Sequence, residues 1–183
     1  MSACRNSYGR KKANGRINLQ KYLRNSKIFS TFAAKTTKQS MFQRKIIQDL
    51  HAWAASEHRK PLVLRGARQV GKSTLVKEFG NEYDVFISLN LERPQHHAIF
   101  ESNNIDSVVK LSFLQAKKPI DMQRKTLLFI DEIQNSPKAV ALLRYFYEDY
   151  PWLHVIAAGS LLLTLLNQHI SFPVGRVQYM HLH

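Results

Sequence analysis

An α/β fold of three layers, with helices on both faces of a parallel, five-stranded sheet, is what this sequence predicts. Three observations carry that expectation. Apolar runs of strand length alternate with segments of helical periodicity, the order that βαβ units produce. Two of those runs, 61–65 and 126–131, stay apolar until near their ends, as strands buried on both faces do. Both runs also end in residues suited to phosphate or metal chemistry, and open parallel sheets bind ligands beyond the carboxyl ends of their strands.

Phe42, Ile46, Leu50 and Trp53 with Ala54 fall on one face of a helix, with polar and basic residues between them. This helix leads into the strand 61–65 and a loop, Gly66-Ala67-Arg68-Gln69-Val70-Gly71-Lys72-Ser73. A helix over 74–79 follows, with Gly80 expected as its stop. Residues 84–90 (Asp-Val-Phe-Ile-Ser-Leu-Asn) read as a second strand. His96 and His97, adjacent in sequence, read as a solvated loop pair. A helix over 104–116 places Ile105, Val108 and Val109 near one face and breaks at Lys117-Lys118-Pro119.

The strand 126–131 comes next. Ser136-Pro137 is a helix start, an N-cap followed by proline at the first helical position. Val140, Leu143, Phe146 and Tyr147 line one face of that helix, a stripe read as core packing. A strand over 153–158 ends at Gly159-Ser160, and 161–166 is helical in pattern. A turn at Pro173-Val174-Gly175 precedes a last strand over 177–182.

The loop after the first strand carries the chemistry. Two glycines let its backbone wrap tightly and aim N–H groups inward at phosphate oxygens. The helix that opens there adds the positive end of its dipole. Gly66 through Ser73, with Thr74, are therefore the expected nucleotide contacts, Lys72 reaching the β- and γ-phosphates and Ser73 holding Mg²⁺. Sixty residues on, Asp131 ends a buried strand where it would reach the Mg²⁺ shell, and Glu132 suits a general base acting on water. Lys72 and Glu132 are the expected catalytic pair. In P-loop families with an added strand between these two, a polar residue at its tip senses the γ-phosphate. Ser160 fits that place, and also fits the cap of the helix after it, two roles that can coexist.

The net charge of +14 is unevenly spread. Residues 1–45 hold twelve Lys/Arg and no acid, and the rest holds fifteen Lys/Arg against thirteen acids. Residues 1–40 lack the apolar mass to order themselves. A disordered extension, an organellar transit peptide and a phosphate-binding arm all fit that composition. Cys4 is the only cysteine, which excludes an intrachain disulfide or a multi-cysteine metal site. No apolar run is long enough to span a bilayer, so the expectation is a cytoplasmic protein without a membrane partner.

Taken in order, Gly66–Ser73, Ser88-Leu89-Asn90-Leu91-Glu92, Leu-Phe-Ile-Asp-Glu-Ile-Gln at 128–134, Ala158-Gly159-Ser160 and Phe172-Pro173-Val174-Gly175-Arg176 resemble the prokaryotic AAA-type P-loop ATPases that carry a separate C-terminal domain. The resemblance covers 41–183. It implies ATP with Mg²⁺, Lys72 and Ser73 on phosphate and metal, Asp131 on metal, and Glu132 as base. It also implies a helical lid and a C-terminal domain, neither of which falls within 41–183, and their lack puts turnover in doubt. Arg176 reads as a phosphate sensor or as an anchor for the turn before the last strand. ATP binding with Mg²⁺-dependent hydrolysis is the leading reading. A non-hydrolysing nucleotide-binding module and a DNA-associated ATPase using the basic tail are the alternatives, with self-association or a protein partner left open.

Overall fold

The computed structural model describes residues 45–102, 104–159, 173 and 175–182. Five strands, β1 (Leu62–Arg65), β2 (Val85–Asn90), β3 (Thr126–Asp131), β4 (His154–Gly159) and β5 (Gln178–His181), form one sheet in the order β2-β3-β4-β1-β5. Every pairing is parallel. The strand carrying the glycine loop and the strand ending in Asp131 thus lie on either side of β4.

Strand parity explains the three layers. Along β3, Leu128 and Ile130 join one apolar cluster, while Leu127 and Phe129 join the other. Successive side chains on a strand point to opposite faces, and all four are buried, so both faces need a cover. On the first face lie α4 (Ile105–Gln115) and α5 (Pro137–Asp149), through Val108, Val109, Phe113, Val140, Leu143 and Phe146. On the second lie α1 (45–55) and α2 (Lys72–Gly80), through Ile46, Leu50, Trp53, Leu75, Val76 and Phe79. The periodicity of α1, α4 and α5 is therefore core packing, and Tyr147 at the edge of its stripe is half-buried. No helix among the described residues is long and apolar enough to cross a membrane.

Local signals behave as their chemistry requires. Ser136 caps α5, its Oγ accepting from the Ala139 N–H at 3.2 Å, and Pro137 takes the first helical position. Asn104 caps α4 by accepting from the N–H groups of Asp106 (2.8 Å) and Ser107 (3.3 Å). At the start of β4, His154 is buried against Tyr83, whose hydroxyl lies 2.7 Å from Nδ1. Burial pushes that imidazole down to about 3, with Arg59 and Lys125 adding to the effect, so it stays neutral.

One expectation is corrected. His96 and His97 are not a solvated loop pair: they end the short helix α3 (Pro94–His97), and His96 is buried. Its Nδ1 accepts the Asn90 N–H at 2.9 Å, satisfying a backbone donor at the tip of β2. Gly80 is the last residue of α2, where the helix stop was expected, and Asn81 follows as a right-handed cap. A Cβ at Gly80 would meet the Phe86 ring at 2.7 to 2.9 Å. In an open helix, Gly→Ala stabilises by about 1 kcal/mol. Here the packing reverses the sign: Gly80→Ala is expected to destabilise by about 1–3 kcal/mol, the usual cost of overpacking. Urea unfolding checks this, and a gain in stability contradicts it.

Candidate functional site

Residues 66–71 leave β1 and turn into α2. Gly71, just before the helix, has φ of 89°, a left-handed conformation that only glycine adopts freely. Among the described residues no side chain caps α2, and no acid occupies its first turn. Its first N–H groups and positive dipole end are left for an anion.

Gly66 serves a different purpose. A Cβ there would lie 2.5 Å from the carbonyl oxygen of Leu182. The Leu182 N–H in turn donates to the Arg65 carbonyl at 2.7 Å. The loop thus springs from a point pinned against the end of β5, an approach too close for any side chain.

Lys72 is buried, and its ammonium donates to the carbonyls of Gly66 (2.9 Å) and Ala67 (2.7 Å). Desolvation holds its pKa below the ordinary lysine value, opposed by the negative charges of Glu132 and Asp131. Ser73, one residue on, donates its hydroxyl hydrogen to Asp131 Oδ2 at 2.7 Å. The N–H of Glu132 donates to Asp131 Oδ1 at 3.1 Å. Residues 58 positions apart in sequence are therefore in direct contact. A cleft of about 230 Å³ is lined by Arg68, Gln69, Gly71, Lys72, Ser73, Thr74 and Glu132.

Of the other expected contacts, Ala67 is exposed in the loop and Val70 packs its side chain on the apolar cluster beneath. Ser160 lies outside the described residues, as do residues 1–40. Arg176 is engaged elsewhere: its Nε pairs with Glu148 at 2.9 Å and its guanidinium lies 5.9 Å from the Tyr147 ring centroid. It anchors the turn before β5, where the Arg176 N–H donates to the Pro173 carbonyl at 3.0 Å and Gly175 has φ of 77°.

The structure adds features that residue types did not signal. Gln69 (φ 64°) and Glu132 (φ 53°) are left-handed non-glycine residues, and among the described residues only Lys117 shares that state. Such backbone costs about 1–3 kcal/mol per residue and concentrates at functional sites. The Glu132 side chain is held as well, accepting at Oε2 from the Gln134 amide.

The donor set fits Mg²⁺. A serine hydroxyl and a carboxylate are hard oxygen ligands, and Mg²⁺ commonly takes one or two protein groups together with water and phosphate oxygens. Among the described residues there is no cluster of three or more His, Cys, Asp or Glu able to hold a metal by itself. Burial raises the Asp131 pKa above its ordinary value; the Ser73 hydrogen bond pulls it down and the Glu132 charge pushes it up. A carboxyl with a raised folded pKa binds its proton more tightly folded than unfolded. Its stabilising contribution is present below the unfolded pKa, near 3.8, and is lost as pH rises through the folded value. At neutral pH the charged carboxylate is thus a cost. Asp131→Asn keeps an acceptor for Glu132 N–H and offers a donor to Ser73. It is expected to raise the thermal midpoint of the nucleotide-free protein at pH 7 and to flatten its decline from acid to neutral pH. Melts across pH check this, and a lower midpoint at pH 7 contradicts it.

The solved Drosophila ORC, bound to GC-rich DNA and Cdc6, is similar in fold at a TM-score of 0.52 and 13% identity, covering 81% of this chain and 59% of that one. Aeropyrum pernix ORC1 in complex with DNA matches at a TM-score of 0.49 and 15% identity, over 79% and 45%. C. elegans PCH-2 matches at 0.45 and 12%, over 76% and 42%. In each case this chain spans less than two thirds of the matched chain's length. No curated protein matches the sequence. The model of the AAA domain matches residues 58–183, from before β1 to beyond β5. By that match, and by the parallel sheet with its loop and acidic strand tip, the chain belongs to the AAA domain family of P-loop ATPases.

Proposed function

We propose that this domain binds ATP with Mg²⁺ and hydrolyses its γ-phosphate bond. The observation that carries the reading is the contact of Ser73 with Asp131 at 2.7 Å beside the buried Lys72. Ser73 and Lys72 line one cleft at the uncapped start of a helix, and Asp131 reaches that cleft through its contact with Ser73. The backbone N–H groups of 66–74 and Lys72 bind the phosphates and orient them. Ser73 and Asp131 hold Mg²⁺, which when bound supplies charge neutralisation on the β- and γ-oxygens. Glu132, on the rim of the same cleft, accepts a proton from the attacking water at its carboxylate. Lys72 stabilises negative charge spreading over the γ-oxygens.

Calorimetric titration with ATP and GTP, with and without Mg²⁺, together with phosphate release, tests the reading. Binding of ATP with Mg²⁺-dependent release is expected. Binding without release would leave a nucleotide-binding module, and no ATP binding would remove both readings. Beyond nucleotide, the twelve Lys/Arg and absent acids of residues 1–45 suit a polyanion. Salt-dependent duplex binding that survives deletion of 1–40 would rule that segment out as its contact.

A further inference from the structure

Gln134 lies outside the cleft lining, yet its amide reaches the one acid on the cleft's rim. We infer that Gln134 is a positioning residue for Glu132, an inference that rests on the base role proposed above. Three observations carry it. Gln134 Nε2 donates to Glu132 Oε2 across two residues, a reach made short by the left-handed backbone at Glu132 (φ 53°). The base of that arm is fixed from both sides. Ile133 is fully buried in the core, and Ser136 both donates its N–H to the Ile133 carbonyl (3.1 Å) and caps α5.

The third observation sets the direction of the contact. Among the described residues, Gln134 Oε1 is buried without a hydrogen-bond partner. A buried acceptor left unpaired is a cost that an amide would relieve by rotating, if rotation were free. Here rotation would turn the carbonyl oxygen onto a carboxylate. The charge of Glu132 therefore selects which end of the amide faces it, and the amide in turn fixes one carboxylate oxygen. The other oxygen, Oε1, is left out of that hydrogen bond, on a residue that lines the cleft, to act as proton acceptor. A base held this way needs no reorganisation when water arrives.

The test uses Gln134→Met, which keeps length and volume but lacks the donor, with Gln134→Leu as a second variant should the first fold poorly. A roughly 10- to 100-fold fall in kcat is expected, the scale of a misplaced catalytic group, with ATP affinity unchanged within about twofold. The double variant Glu132→Gln with Gln134→Met is expected to be no slower than Glu132→Gln alone, because Gln134 acts only through Glu132. A merely structural role would instead weaken ATP binding and slow the double variant further. A readout independent of turnover comes from the nucleotide-free protein. The Gln134 side-chain amide protons, identified by their loss in Gln134→Met, should lie downfield and move upfield in Glu132→Ala. Wild-type kcat in Gln134→Met, additive losses, or unmoved amide shifts would each overturn the inference. If Glu132→Gln itself turns over normally, the base assignment fails first and takes this role with it.

Discussion

Lys72→Ala is expected to lower ATP affinity at least a hundredfold, about 2.8 kcal/mol, while leaving the domain folded. Lys72 is buried, and its ammonium is held by the Gly66 and Ala67 carbonyls. Its position is therefore set before any nucleotide arrives, and no ordering cost is charged against binding. Charge-assisted contacts to phosphate are about twice as strong as neutral ones. Removing the ammonium also strips two loop carbonyls of their donor, so the loop loses part of what holds its curvature. The fold itself should tolerate the change, since burial already disfavours the charged lysine. Lys72→Arg is not expected to rescue binding, because a planar guanidinium does not fit a site shaped for a compact ammonium. Titration calorimetry beside a thermal melt separates loss of binding from loss of fold. Tight ATP binding by a folded Lys72→Ala protein would remove the phosphate-loop assignment altogether.

Glu132→Gln is expected to cut turnover by about 10²- to 10⁴-fold, the range of general base catalysis, with ATP binding retained. The substitution conserves shape. The left-handed backbone at 132 is unaffected by the change of side-chain head group, and the new amide oxygen can still accept from Gln134. What is lost is the capacity to take a proton. Lys72 also loses the larger of its two favourable charge partners, so its cation is less well supported, which works against any compensating gain in phosphate binding. Single-turnover phosphate release with matched nucleotide titrations measures both quantities. Equal release rates in wild type and Glu132→Gln would exclude Glu132 as the base. Equal background in both would favour the binding module.

The site was partly legible in the chain. The glycine loop, Lys72, Ser73 and the Asp131-Glu132 pair announce themselves because their chemistry depends on residue type and on position at a strand's end. Gln134 stood in a quoted motif with no role, since an amide two residues from an acid is unremarkable until the backbone between them turns left-handed. Glycine was read correctly as a marker but not always for the right cause. Gly71 has the positive φ expected of it, whereas Gly66 and Gly80 are required by atoms of Leu182 and Phe86, 116 and six positions away. His96 looked solvated because its partner, the Asn90 N–H, sits on a neighbouring strand tip.

The amino-acid order alone determined the alternation of strands and helices, the faces they bury and the phosphate-loop and acidic strand tips. Periodicity, caps and apolar runs act over a few residues and so are written locally. Only the folded arrangement decided that β4 separates the loop strand from the acidic strand, that Ser73 meets Asp131, and that Glu132 is held by Gln134. Those depend on which distant surfaces pack together, and close packing in a two-faced sheet is settled by all of its side chains at once.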